Sequence, residues 1–505
     1  MHCYCISFLI WIPILSGLLF LYCSKTNFFQ SFDFRYIWLL IISFTFFITI
    51  YMLFNFDLHT FEMQYIEEHL WIPSLNIRYS LGVDGLSMSL IVLSEIIIFI
   101  SVLSIWNYIE NNISEYLSYV LVIQGLLIGI FTSLDAILFY IFWESILIPF
   151  YLIIGIWGSK NRSYAAIKFF IYTFLGSIFM LLVFIYIGQE ISSFKIKDFY
   201  LVKLSIKEQI LIFISFFLAF AVKVPIFPFH TWLPDVHTEA SSGGSILLSA
   251  ILLKVGIYGL LRFLFPIVPD ACNLFAKMIL LISLFSIIYI SIIAYVQEDL
   301  KCVIAYSSIL HMSLVVLGLF STFLIIHRLD NIKYAGFVFE GSVFIMFSHA
   351  FISSAMFSNI GYLYERLHTR KIKDFGGIAR VMPLFSFFFM FFSISNLGMP
   401  GTSGFVGEFM VILGSMKAGF WLSIGSGIIL ILGVSYTLRV CNYVVFGSIA
   451  NYKIKSLYDL SRFEKISNCI LFVFILILGI YPNILLKYIH NSINVFLVKE
   501  NILKI

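Results

Sequence analysis

Apolar runs of roughly 20 residues recur from residue 6 to residue 486, separated by short polar clusters. A run of that length carries a helix across the hydrocarbon core of a bilayer, and lipid offers no partner to an unpaired backbone N–H or C=O. Only 11% of the 505 residues are charged, against about 25% in an ordinary soluble domain. So much apolar surface cannot be hidden in a globule, and lipid must be the solvent. Counting the runs predicts an all-α, polytopic membrane protein of about 14 transmembrane helices. The net charge of +4 is spread over loops, with no basic patch interleaved with aromatics, which argues against a nucleic-acid partner.

One run is broken. Residues 219–240 read Ala-Phe-Ala-Val-Lys-Val-Pro-Ile-Phe-Pro-Phe-His-Thr-Trp-Leu-Pro-Asp-Val-His-Thr-Glu-Ala. Pro225 frees the carbonyl of Ala221, and Pro228 that of Val224. Such a break survives at membrane depth only inside protein or beside a wet cavity. Lys223 sits just before the break, which is the pattern of an ion path. His230 and His237 follow as further relay candidates. A second break lies in residues 396–409, Asn-Leu-Gly-Met-Pro-Gly-Thr-Ser-Gly-Phe-Val-Gly-Glu-Phe. There Pro400 frees the carbonyl of Asn396, four glycines allow close packing, and Glu408 follows. Two breaks in corresponding places predict two inverted repeats of about five helices each, with Glu144 answering to His311 and Lys223 to Glu408.

Other ionisable residues stand in mid-run. Glu144 has no charge within a helical turn, and an ion there costs roughly 2.5–3.5 kcal/mol on insertion scales unless it finds a partner. Lys254 sits near the centre of its run and cannot easily reach an interface. His311 and His349 lie among apolar residues, and histidine titrates near neutral pH. The alternative for each is structural: a protonated carboxyl, a lysine satisfied by carbonyls, a hydrogen-bonded imidazole. Lys168 lies near a helix end, where snorkelling is an adequate explanation. Asp84 reads as the cap of the third span, which residues 81–87 are expected to open. Residues 57–79 are too polar to span, and residues 366–373 read as a basic loop. The seven cysteines are scattered, from Cys3 to Cys469, and read as apolar filler. Loops after odd-numbered spans carry most of the Lys and Arg, which places them on the cytoplasm-like side and both termini opposite.

The stretches 139–149, 223–239, 252–263, 306–312 and 396–409 resemble the signatures of the antiporter-like membrane subunits of respiratory complex I, the proton-pumping NADH:ubiquinone oxidoreductase. Glu408, where the sister subunits 2 and 5 carry lysine, makes the chain most similar to subunit 4. One departure is Ser241-Ser-Gly-Gly244, where the family usually has a proline after Ala240. The resemblance implies a core of residues 112–446, in repeats of about 112–268 and 272–446. Residues 1–111 would hold the N-terminal membrane helices and an external segment, and 447–505 the last loop and helix.

It also implies a subunit of an enzyme, NADH:ubiquinone reductase (H+-translocating), with no redox centre of its own. NADH, FMN, iron–sulfur clusters and ubiquinone would belong to partner subunits, and the chain shows no Gly-rich phosphate loop and no cysteine cluster. The partners would be other membrane-arm subunits, including subunits 2 and 5, and the place the mitochondrial inner membrane, with a bacterial plasma membrane as the alternative. Glu144, Lys223, Lys254, His311, His349 and Glu408 would form a proton relay. The rival readings are a cation/proton antiporter subunit and a structural scaffold; a scaffold has no need of mid-span charges.

Overall fold

The computed structural model describes residues 4–25, 33–109, 112–329, 331–449 and 452–502. Among them 12 helices are long and apolar enough to cross a membrane. Two interrupted helices supply the remaining spans that the sequence predicts.

The first spans are α1 (Cys5–Lys25) and α2 (Phe34–Phe54), then α3 (Gly85–Ile105) and α4 (Ile113–Thr132). The fifth span is α5 (Ala136–Ser145) and α6 (Leu147–Trp157), joined by a turn at Ile146, and α7 (Arg162–Ile191) follows. A short α8 (Ile196–Phe199) leads to the first interrupted span, α9 (Ile206–Lys223) and α10 (Trp232–Glu239). The next span begins as α11 (Ser242–Leu247), continues through α12 (Leu253–Gly259) and ends as α13 (Phe265–Ile267), with π-helical turns at Leu248–Leu252 and Leu260–Leu264. Three long helices follow: α14 (Pro269–Val296), α15 (Leu300–Leu329) and α16 (Ile332–Leu367). The second interrupted span is α17 (Pro383–Asn396) and α18 (Ser403–Ala418), and the chain closes with α19 (Phe420–Val444), α20 (Arg462–Ile480) and α21 (Asn483–Ile502).

The structure corrects the sequence reading in several places. The fold is all-α as the sequence predicts, but a short hairpin stands outside the spans. Residues 57–79 do stay out of any helix, but β1 (Gln64–Ile72) and β2 (Ile77–Val83) pair as an antiparallel hairpin, from Gln64↔Val83 to Ile72↔Ile77. These runs are rich in aromatic and β-branched residues, and Asn76 takes the left-handed conformation at the turn. Leu81 to Val83 therefore end a strand instead of opening the third span. The last apolar run, expected as one span ending near residue 486, breaks at Tyr481 and Pro482, and α21 follows as a separate helix. Arg366 is not in a basic loop. It lies in the last turn of α16, where its guanidinium meets Glu464 of α20 at 2.7 Å, with both side chains buried.

Ser241 caps α11, its hydroxyl accepting from the N–H of Gly244. A Cβ at Gly243 would stand 2.6 Å from the Tyr116 hydroxyl, so glycine lets this helix start pack against α3 and α4. That accounts for the Ser-Ser-Gly-Gly departure as a capped, closely packed helix start. Cys302, Cys441 and Cys469 are free thiols, and Cys3 lies outside the described residues.

Candidate proton line in the membrane interior

Burial is greatest where the ionisable residues stand. The apolar windows of the α11–α13 span and of α15 are wholly enclosed, and that of α16 nearly so, whereas α2 and α20 lie largely open. Lys254, His311 and His349 come from those three enclosed helices.

α9 begins with a capping box: the backbone N–H of Ser205 donates to Glu208 Oε2 at 2.7 Å, and the Glu208 N–H returns to the Ser205 hydroxyl. It ends at Lys223, as the proline at 225 requires. The freed Ala221 carbonyl accepts from the N–H of Ile226 at 3.0 Å, and Val222 O accepts from Trp232 Nε1 at 2.9 Å. The broken end thus keeps these acceptors satisfied without water. Its carbonyls also present the negative end of the helix dipole beside Lys223.

Lys223 is 1% exposed, and its Nζ lies 5.0 Å from the Trp143 ring centroid with no hydrogen bond. Glu144, the next residue on α5, is half-buried with Oε1 unpartnered, and it is the opposite charge acting on Lys223. Gly256 brings α12 onto this end, since a Cβ there would stand 3.0 Å from Lys223 Cβ.

Lys254 is fully enclosed. Its Nζ donates to the Ser249 carbonyl at 2.7 Å and meets His349 Nδ1 at 2.8 Å. Ser249 belongs to the π-turn, where the helical register slips and leaves a carbonyl for the lysine five residues on. His349 lies 5.5 Å from the His311 ring, and His311 Nδ1 is 3.2 Å from Glu408 Oε1. Lys254, His349, His311 and Glu408 therefore form one continuous line across α12, α16, α15 and α18.

Gly398, with φ +69°, makes room for its end: a Cβ there would fall 2.6 Å from Glu408 Oε2. Beside it, Asn396 donates to Ser307, which also takes the hydroxyl of Tyr436. Lys223 makes no hydrogen bond to Lys254, so transfer between the Glu144–Lys223 pair and the line needs a mobile donor and acceptor such as water.

His237 stacks on Phe357 at 4.6 Å, with both ring nitrogens unpartnered and the charges of Lys301 and Lys254 acting on it. It stands beside the line. His230 packs against Phe227 at 5.7 Å and forms no hydrogen bond or ion pair with the other candidates. Lys168, near the start of α7, has a partner as well as a nearby surface. Its Nζ pairs with Asp235 of α10 at 2.5 Å, because the break turns that carboxylate toward α7. Asp84 caps α3 through the N–H of Ser87 at 2.9 Å, and it also pairs with the buried Arg262.

Sequence reasoning missed several buried charges, Lys301, Glu464 and Glu95 among them. Lys301 donates to the carbonyl of Ala240 at 2.7 Å, closing the end of α10. It read as part of the polar cluster 297–301, although its place in the first turn of α15 could have marked it. Glu464 was masked by the charges around it. Glu95 was passed over in the third span, although it stands in mid-run with no neighbouring charge.

Residues 133–433 match the family described as NADH:quinone oxidoreductase/Mrp antiporter, TM. The chain belongs to that family. Among relatives of the NADH:quinone oxidoreductase/Mrp antiporter family, NADH-quinone oxidoreductase subunit M of Rickettsia prowazekii is 40% identical over 498 residues, covering 98% of this chain and 99% of that one. NADH-ubiquinone oxidoreductase chain 4 of Chondrus crispus is 41% identical over 457 residues, 90% of each chain. A chain of respiratory complex I from Thermus thermophilus has the same fold, with a TM-score of 0.86 at 25% identity, over 98% of this chain and 99% of that chain. With 12 candidate spans among the described residues, this chain is a multi-pass membrane protein.

Proposed function

We propose that this chain is a proton-translocating membrane subunit of an NADH:quinone oxidoreductase, coupling electron transfer in partner subunits to proton movement across the bilayer. The observation that carries the reading is the enclosed line Lys254–His349–His311–Glu408, with the Glu144–Lys223 pair at its other end. Buried charges are expensive in lipid, and a chain of them in contact is the arrangement that passes protons.

In this mechanism Glu144 holds Lys223 protonated. When movement in a neighbouring subunit weakens that hold, desolvation favours the neutral amine and Lys223 releases its proton. Lys254, as an ammonium, donates to a His349 whose Nδ1 is unprotonated. Passing that proton on moves charge toward His311 and then to the Glu408 carboxylate. NADH, FMN, iron–sulfur clusters and ubiquinone act in partner subunits, and this chain binds none of them. Its neighbours are other membrane-arm subunits, subunits 2 and 5 among them. The membrane is the mitochondrial inner membrane, and organelle fractionation checks that against a bacterial plasma membrane.

Proton uptake by sealed vesicles containing the assembled complex, measured beside NADH oxidation, tests the reading. Lys223→Ala and Glu408→Ala should each abolish pumping. Normal pumping in both variants would overturn it. The family description also names Mrp antiporters, so cation/proton antiport is the second reading. Sodium-dependent proton exchange by the isolated chain in liposomes would favour it.

A further inference from the structure

Glu95 lies at the middle of α3, away from the proton line, and is 1% exposed. Among the described residues no lysine, arginine or histidine pairs with it. Its Oε2 accepts from Gln124 Nε2 at 2.8 Å, and the Thr45 hydroxyl shares its one hydrogen between Ile42 O at 3.0 Å and Oε2 at 3.2 Å. The Gln124 amide also donates to Thr45 Oγ1 at 3.0 Å, which uses both amide hydrogens. Two acceptors remain, Glu95 Oε1 and Gln124 Oε1, both buried and both without a donor. A buried acceptor left unmatched costs about 1–3 kcal/mol, and a lone carboxylate more. With the carboxyl ionised, the cluster is short of hydrogen-bond donors and of one positive charge, which a proton on Glu95 or a bound cation would supply.

Glu95 also lines a cavity of about 290 Å³, walled by Ile42 and Phe46 of α2, Ile96 and Phe99 of α3, and Ile470 and Phe474 of α20. Ile96 and Phe474 also line a second cavity of about 150 Å³, which reaches Leu53 at the end of α2 and Leu485 and Tyr488 on α21. Together they form an apolar trough from mid-membrane toward one surface, beside the two helices that lie most open. Apolar walls of this kind do not hold ions in water, but they fit a hydrocarbon chain.

We infer that this trough is a binding site for a lipophilic amine, its protonated head at Glu95 and its chain along α3. An ammonium carries three hydrogens and one positive charge. That gives the orphaned Glu95 Oε1 a donor and neutralises the carboxylate. A hydrocarbon alcohol fills the same trough but cannot supply the charge.

The test uses the assembled complex in lipid nanodiscs and a diazirine-bearing decylamine, with labelled peptides mapped by mass spectrometry. Label is expected in α2, α3 or α20, and decylamine should displace it at concentrations about tenfold below those needed for decanol. Glu95→Gln should reduce labelling about tenfold while NADH oxidation is unchanged. Ile96→Trp, which keeps the carboxylate but fills the junction of the two cavities, should also abolish labelling. Labelling that survives both substitutions, or equal displacement by decanol and decylamine, would overturn the assignment.

Discussion

Lys254 Nζ and His349 Nδ1 stand 2.8 Å apart with no other side chain hydrogen-bonded to the lysine. Two protonated groups cannot share that distance, so the pair holds one proton between two nitrogens. Lys254→Arg tests this. A guanidinium stays protonated and cannot hand its proton on. The arginine variant should assemble, keep its charge, and lose pumping as completely as Lys254→Met. Proton uptake per NADH oxidised decides the matter, and pumping restored by arginine would contradict the shared-proton geometry.

Gly398 faces the Glu408 carboxylate at φ +69°. Gly398→Ala adds a methyl 2.6 Å from Oε2 and a backbone strain of about 1–3 kcal/mol. The expected outcome is a complex with a lower Tm and impaired proton uptake, because His311 loses its partner at 3.2 Å. Glycine at 401 has nothing within 4 Å of its added Cβ, though its φ of +91° carries the same strain. Gly401→Ala should therefore lower Tm yet leave uptake near normal.

The buried Arg366–Glu464 pair joins α16 to α20, and Arg366 also donates to the Tyr108 hydroxyl at 2.9 Å. Removing only the carboxylate strands a guanidinium in the interior at a cost of about 3–5 kcal/mol. Glu464→Ala should sharply reduce assembled complex on native gels, whereas the double variant Arg366→Met with Glu464→Leu should recover much of it. No difference between single and double variants would show that the pair adds no charge constraint.

Outside the spans, the hairpin carries Glu68, whose carboxylate meets Lys195 at 2.7 Å and Arg78 at 2.6 Å. The Lys195 hydrogen bond, with Arg78, holds the Glu68 pKa below its ordinary 4.5 against the opposing effect of burial. A carboxyl with a lowered folded pKa stabilises the folded form above its unfolded value. That contribution is lost as pH falls from 4.5 through the folded pKa. Hydrogen-exchange protection factors at residues 64–83, corrected for the intrinsic rate, should therefore fall below pH 4.5, and Glu68→Gln should remove the dependence. The groups are about a third exposed, so the effect is small and salt should weaken it.

Much of this architecture was legible because lipid restricts what a chain can do. The prolines at 225 and 400 mark both interruptions, and the isolated mid-run charges at 144, 223, 254 and 408 stand out against apolar surroundings. The correspondences drawn from the pattern, Glu144 with His311 and Lys223 with Glu408, place one acid and one base beside each interruption: His311 meets Glu408 at 3.2 Å, and Glu144 acts on Lys223 without a hydrogen bond. Less legible were features that depend on neighbours. Lys168 and Arg366 look like surface charges until α10 and α20 bring carboxylates to them. The π-turn that offers Ser249 O to Lys254 leaves no mark in local composition, since it arises from a slipped hydrogen-bond register. The hairpin was hidden because its charged residues suggested only an excursion from the membrane.

The two pairs are mirror images in sign. In the first, the acid is on the early helix and the base precedes the interruption; in the second, the base is early and the acid follows it. Adding a positive charge at one end and removing one at the other therefore push the field along the line in the same direction. Such an arrangement tips like a balance between two loaded positions. Its resting point depends on which end is last touched from outside, so one push by a neighbouring chain can both load and empty it.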